Sequence, residues 1–210
     1  MSKILISGYY EFANAGDEAM LTAIIESLRQ VEKNVELTVL SGNPEDTAAK
    51  HQVCSVYRFN PLGIIQAMKD SELIISGGGS LLQDVTSKRS LLYYLSIIGL
   101  GKFFGKKVML FAQGIGPIRA KWARKLTSLV CNEADLITVR DSESAAELIE
   151  MGVKPEKITV TADSVLSLNP VTKECGQYLL QEAGVDLTKP VIGISAVSYT
   201  HLTLPTTSRV

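Results

Sequence analysis

The amino-acid sequence predicts an α/β protein built on a Rossmann-like parallel sheet, and three observations carry that prediction. Short aliphatic, often β-branched runs recur along the chain, among them KILIS at Lys3–Ser7, LIIS at Leu73–Ser76 and LITV at Leu136–Val139. Unbroken runs of this kind are the pattern of strands buried on both faces. Longer stretches of helical period separate them, with glycine-bearing loops at the boundaries. The composition agrees, being 46% hydrophobic but only 6% aromatic, so aliphatic side chains must build the core.

Each element follows in order. Lys3–Ser7 reads as the first strand and not as a signal peptide, because it holds one lysine and a short apolar run that is soon interrupted. The loop Gly8–Asp17 (GYYEFANAGD) then feeds a helix from about Asp17 to Val31. Glu36–Leu40 is a second strand and Val53–Tyr57 a short third. Pro61–Asp70 suits a helix, since proline in the first turn loses no needed hydrogen bond. Leu73–Ser76 is a strand ending in Gly77-Gly78-Gly79, and Ser90–Phe104 a helix. The apolar run Leu91–Phe104 is shorter than the roughly 20 residues that span a bilayer and is broken by Lys102, so a buried or surface-docked helix is expected. Val108–Gln113 is the next strand, Ala120–Asn132 a helix and Leu136–Val139 a strand. Ser142–Met151 is a helix with Gly152 just past its end, the usual C-terminal cap, and Ile158–Thr161 a further strand.

Residues 1–165 are therefore expected to form one Rossmann-like domain. Ala162–Thr172 reads as a linker, followed by a helix over Lys173–Ala183 and a strand over Val191–Ala196 that would open a second, incomplete α/β domain across residues 166–197. The last residues, 198–210, continue no period and read as a non-native tail, so nothing is drawn from His201.

Charge and cysteine content remove several function classes. Lys+Arg is 21 against Asp+Glu 22, a formal charge of −1, which argues against a general nucleic-acid binder. Cys54, Cys131 and Cys175 are far apart and odd in number, so neither a disulfide framework nor a zinc site is expected, and a reduced cytoplasmic chain is the simplest reading. Only two histidines limit metal and acid–base chemistry, and no metal or cofactor is called for.

In an open α/β sheet, ligands bind beyond the carboxyl ends of the strands. Four loops leave such ends. In Gly8–Asp17 the candidates are Asn14, Gly16 and Asp17, beside a helix start that favours an anionic or hydroxyl-rich ligand. The plain alternative is that Asn14 caps the helix and Asp17 sits in its favourable first turn. In SGGGSLLQD (Ser76–Asp84), Gly77, Gly78 and Gly79 allow close approach of a ligand or simply a sharp turn. Gln113-Gly114-Ile115-Gly116-Pro117 offers Gln113, and a Gly-Pro turn would explain that loop equally; Arg119 beyond it reads as a solvated residue. In VRDSE, Arg140 could clamp a carboxylate or phosphate with its two-pronged guanidinium, or merely pair with Asp141 or Glu143, while Asp141 or Ser142 caps the next helix. No GxGxxG fingerprint, Walker loop, nucleophile elbow or metal-ligand cluster occurs.

The same loops carry a resemblance. AGDEAML following KILISG (within Lys3–Leu21), LIISGGGSLLQD (Leu73–Asp84), QGIGP (Gln113–Pro117), VRDSES (Val139–Ser144) and ADSVL (Ala162–Leu166) resemble, in order and spacing, the polysaccharide pyruvyl transferase family. The likeness covers residues 1 to about 197 and is strongest to members that prepare a secondary cell-wall polymer for anchoring surface-layer proteins. It implies transfer of a pyruvyl group from phosphoenolpyruvate to an N-acetylmannosamine-type sugar, free or lipid-linked, forming a cyclic ketal. It further implies a two-domain glycosyltransferase-B-like fold of which this chain is the N-terminal half, truncated. Location in the cytoplasm follows, at the inner membrane face where a lipid-linked acceptor sits, with peripheral and not spanning association.

By the resemblance, Asp17 falls on a functional aspartate that suits a base or hydroxyl-orienting role, and Arg140 on an arginine that suits an anion clamp. The general acid and the family's functional histidine would belong to the second half. His51 matches no family motif, and residues 1–210 alone are expected to be inactive. Two other functions stay open on the sequence: a sugar-nucleotide-dependent glycosyltransferase of the same architecture, and a non-catalytic acceptor-binding module.

Overall fold

The computed structural model describes residues 2–194. Its elements are β1 (Lys3–Ser7), α1 (Ala15–Val31), β2 (Glu36–Ser41), α2 (Pro44–His51), β3 (Cys54–Tyr57), α3 (Pro61–Asp70), β4 (Leu73–Gly77), α4 (Lys88–Phe103), β5 (Lys107–Gln113), α5 (Lys121–Glu133), β6 (Leu136–Val139), α6 (Ser142–Glu150), β7 (Ile158–Val160) and α7 (Lys173–Glu182). All strand pairs are parallel, in the order β3-β2-β1-β4-β5-β6-β7. The predicted Rossmann-like parallel sheet is present.

Both faces of the sheet are covered, which is why its strands lack polar alternation. Ile4, Ile6, Leu37, Val39 and Ile75 pack with Leu21, Ile24 and Ile25 of α1 on one side. Leu5, Leu40 and Ile74, pointing the other way, join a larger cluster with residues of α3, α4, α5 and α6. Each fully buried aliphatic side chain of this kind contributes about 1.5–3 kcal/mol by leaving water. Leu91, Leu95 and Ile98 explain the apolar run in α4: they are core residues. Among the described residues no helix is long and apolar enough to cross a membrane.

Three sequence expectations need correction. The sequence reading left out α2, although Asn43 caps it through Asp46 N and Pro44 opens it, a recognisable start signal. The expected linker at Ala162–Thr172 is partly structured: Ser164–Ser167 form a 3-10 turn that Asp163 caps through Val165 N. Val191–Ile194, the described part of the expected strand Val191–Ala196, form no strand, and Ile192 and Ile194 are exposed. A short apolar run needs a laddered neighbour to become a strand, and none pairs with it among the described residues. Ser195, Ala196 and the expected tail 198–210 lie outside the described residues.

The chain divides into two compact units between Leu168 and Asn169. The first holds the whole sheet. The second contains α7, whose first turn is capped by Thr172 Oγ1 accepting from Cys175 N.

Candidate active site

The strand order reverses direction between β1 and β4, which stay paired through Ser7 and Ser76, and a switch point of this kind is where such sheets bind ligands beyond the carboxyl ends of their strands. A cleft of about 580 Å³ occupies this position, lined by Tyr9, Asn14, Gly16, Asp17, Gly79, Ser80 and Tyr94 among others. A larger cavity of about 760 Å³ lies at the opposite, amino-terminal end of β1–β3, where Lys3, Leu37 and Cys54 line it, away from every predicted site loop.

Asp17 sits in the first turn of α1 and is only 7% exposed. Burial, and then the neighbouring Glu18 charge, push its carboxyl up from 3.8 to about 6, against a smaller downward pull from Asn14. Asn14 is the helix cap, its Oδ1 accepting from Gly16 N at 3.0 Å, so it fulfils the plain reading and also lines the cleft.

The glycine loop has separable roles. Gly77 packs, since a Cβ there would lie 2.7 Å from Ile24 Cδ1. Gly78 and Gly79 adopt left-handed backbone, φ +81° and +67°, and a Cβ at Gly79 would come within 2.7 Å of Asp17 Oδ1. Of the three, Gly79 lines the cleft. Gly79→Ala should therefore cost about 1–2 kcal/mol for the left-handed backbone alone and should also push the Asp17 carboxylate aside. Thermal melts and turnover measured together check this: a variant with normal activity would mean that the carboxylate's position is immaterial.

A second, adjoining hollow of about 320 Å³ is lined by Ser80, Gly114, Gly116, Arg140, Asp141 and Glu143, among others. Ser80 borders both spaces. Arg140 Nη2 donates to Ser80 Oγ at 3.2 Å and Nη1 to Asp163 Oδ2 at 3.3 Å, with Asp141 Oδ2 3.5 Å from Nε. Gly114 makes room for the guanidinium, because a Cβ there would lie 2.8 Å from Arg140 Cζ. A bulge prepares this loop: the β5–β6 register shifts after Leu110, and Ala112 takes a left-handed φ of 48°. The two glycine loops are also tied together, Gly114 N donating to Gly79 O at 3.1 Å.

Asp17 and Arg140 thus stand on opposite sides of the Gly79–Ser80 segment. Gln113 lines neither space. Its amide is buried and donates to Ser76 O and Oγ, which makes it a strut between β5 and β4. Asp141 caps α6, accepting from Ser144 N, and Asp84 ties down the segment leading into α5 by accepting from Arg119 N and Ala120 N, while the Arg119 side chain is exposed. His51 ends α2, lines neither space, and burial holds its imidazole below the usual value.

The sequence reading missed Tyr10, Arg58 and Ser80. Tyr10 is fully buried and donates to Gly77 O at 2.7 Å, joining the first two site loops. Arg58 is buried behind the cleft, donating to Gly8 O and Tyr94 Oη. A lone arginine between Tyr57 and Phe59 carries no sequence signal for such a position.

By fold, the chain is similar to Anabaena HepE in complex with UDP and glucose, at 12% identity, a TM-score of 0.57, and 88% coverage of this chain and 50% of that one. It is also similar to the Neisseria meningitidis UDP-GlcNAc 2-epimerase bound to UDP-GlcNAc, at 13% identity, a TM-score of 0.50, and 88% and 51% coverage. At these identities the likeness is one of fold, a Rossmann-like α/β sheet, and the chain spans about half the length of either structure. Curated protein sequences give no match. The family model for polysaccharide pyruvyl transferase matches residues 14–198, a span that takes in the Asp17 helix, both glycine loops and Arg140. The chain belongs to the polysaccharide pyruvyl transferase family.

Proposed function

We propose that the protein serves pyruvyl transfer from phosphoenolpyruvate to a sugar of a cell-wall polysaccharide precursor, closing a cyclic ketal. The observation that carries this reading is the placement of a carboxylate titrating near 6 and a guanidinium on either side of Gly79–Ser80, in a chain of this family. The chemistry asks for both. The methylene carbon of phosphoenolpyruvate takes a proton, leaving C2 cationic. One sugar hydroxyl adds to C2 and gives up its proton, inorganic phosphate leaves, and the second hydroxyl adds to close the ketal and gives up its own.

Asp17, half ionised near pH 6, is matched to receive a hydroxyl proton or to orient the hydroxyl. Arg140 carries the planar fork that recognises carboxylate and phosphate. It would exchange its present partners, Asp163 and Ser80, for the donor. The activity is assigned to the cytoplasm, against the membrane when the acceptor is lipid-linked.

Phosphate release tests the reading. Phosphoenolpyruvate is incubated with an N-acetylmannosamine-containing acceptor and either the 210-residue chain or a longer form carrying a second α/β half. Acceptor-dependent phosphate release by the longer form, with none from residues 1–210, is expected. Consumption of a nucleotide sugar in its place would overturn the donor assignment.

A further inference from the structure

The first site loop is held in a conformation that its sequence does not favour. Glu11 and Ala13 both take left-handed backbone, φ 61° and 57°, without being glycine. Such strain persists where the surroundings over-determine it, and it gathers at functional sites. The surroundings here are explicit. Glu11 N donates to Glu18 Oε1 at 2.6 Å, Lys50 Nζ pairs with Glu11 Oε1 at 3.0 Å, and Gly42 N donates to Tyr10 O at 3.1 Å.

What this loop presents is a pair of aromatic rings. Tyr9 and Phe12 stack with centroids 4.4 Å apart and planes 16° from parallel, yet they remain 39% and 37% exposed. Tyr9 lines the same cleft as Asp17. Behind the pair lies Arg58, 4% exposed, its Cζ 5.8 Å from the Tyr9 centroid and 5.1 Å from that of Phe12, with Phe59, Tyr93 and Tyr94 closing the cage. Among the described residues no carboxylate lies within ion-pair distance of Arg58. Ring quadrupoles take that place, and its Nη1 and Nη2 tie Gly8 O, at the root of the loop, to Tyr94 Oη on α4.

We infer that Tyr9, backed by Phe12, is the platform on which the pyranose ring of the acceptor stacks, and that Arg58 is the positioning residue holding that platform beside Asp17. A pyranose has an apolar face of C–H groups whose partial positive charge suits the negative face of an aromatic ring. A flat ring fixed next to the carboxylate selects which sugar hydroxyls reach it. The inference rests on reading the Asp17 cleft as the acceptor side, and it is independent of what the donor is.

The test is saturation-transfer NMR on the 210-residue chain with N-acetylmannosamine and no donor. Transfer to ring C–H protons of the sugar is expected for the natural chain and for Tyr9→Phe. Affinity should drop about two- to tenfold in Tyr9→Leu, which keeps apolar bulk but loses the flat face. Arg58→Met should weaken binding in the same direction; should that variant fail to fold, the Tyr9 pair alone decides. An unchanged melting temperature in Tyr9→Leu shows that the exposed ring is not needed for folding. Binding by Tyr9→Leu equal to that of the natural chain, or no transfer to the natural chain, overturns the inference. Tyr9-dependent sugar binding without phosphate release in any form would instead sink the pyruvyl reading and leave the platform standing.

Discussion

Asp17→Asn is expected to lower turnover by on the order of 10²–10⁴ in an active form of the protein while leaving the fold as stable or more so at neutral pH. The two halves of that expectation come from one cause. Burial raises the carboxyl from 3.8 to about 6, so the native state holds a proton that the unfolded chain releases. Between about pH 4 and 6 the native state binds more protons, and stability must fall as pH rises. Above about 6 the ionised carboxylate costs up to about 3 kcal/mol, and below about 4 it costs nothing. Asparagine removes this cost but also removes a favourable charge from the first turn of α1, worth about 0.3–1 kcal/mol. Denaturant titrations at pH 4 and 7.5 should show the variant gaining relative stability at the higher pH only. The natural protein's kcat/KM should rise through pH 6 as the base ionises. Near-normal turnover in Asp17→Asn would remove the catalytic assignment.

The Arg140 series should separate a clamp from a brace. Arg140→Gln and Arg140→Lys are expected to lose on the order of 10²–10³ in turnover, with KM for phosphoenolpyruvate rising in both. Lysine keeps the charge but cannot present two parallel donors, so it should rescue little. The side chain is about one-third exposed and its carboxylate contacts are 3.3 and 3.5 Å, so as an ion pair it is worth at most about 1 kcal/mol. A brace would therefore show a small loss of stability and normal kinetics. Full rescue by lysine would mean that a point charge suffices and the two-pronged contact is dispensable.

The fold and the site were legible to different degrees. The five inner strands were readable because each must be apolar on both sides to sit inside a covered parallel sheet, and that constraint is local; the edge strands β3 and β7 bury no residue fully and were readable only as short runs between helical stretches. Helices such as Pro61–Asp70 and Lys173–Glu182 were readable from period and first-turn proline or capping residues. The α2 helix, short and polar, buries only Thr47 and so leaves no apolar stripe to detect. Asp17, Gly79 and Arg140 were identifiable as loop residues at strand ends, since the rule that ligands bind there needs no coordinates of the chain.

Which of those loop residues face a common space was decided by tertiary structure. Strand order sets β1 beside β4 and β5 beside β6, and this brings Gly79 against Asp17 and Ser80 against Arg140 across long sequence separations. The same ordering turns Gln113, chemically as suitable as Asn14, into a buried strut. Arg58 is the clearest case. Its neighbours in sequence show nothing unusual, and its cage is assembled from rings at positions 9, 12, 59, 93 and 94. Sequence alone determined the strands and not their order, because burial acts on each residue of an inner strand separately. The tertiary structure decided the site, because a ligand is recognised by groups that share a space and not by groups that share a segment.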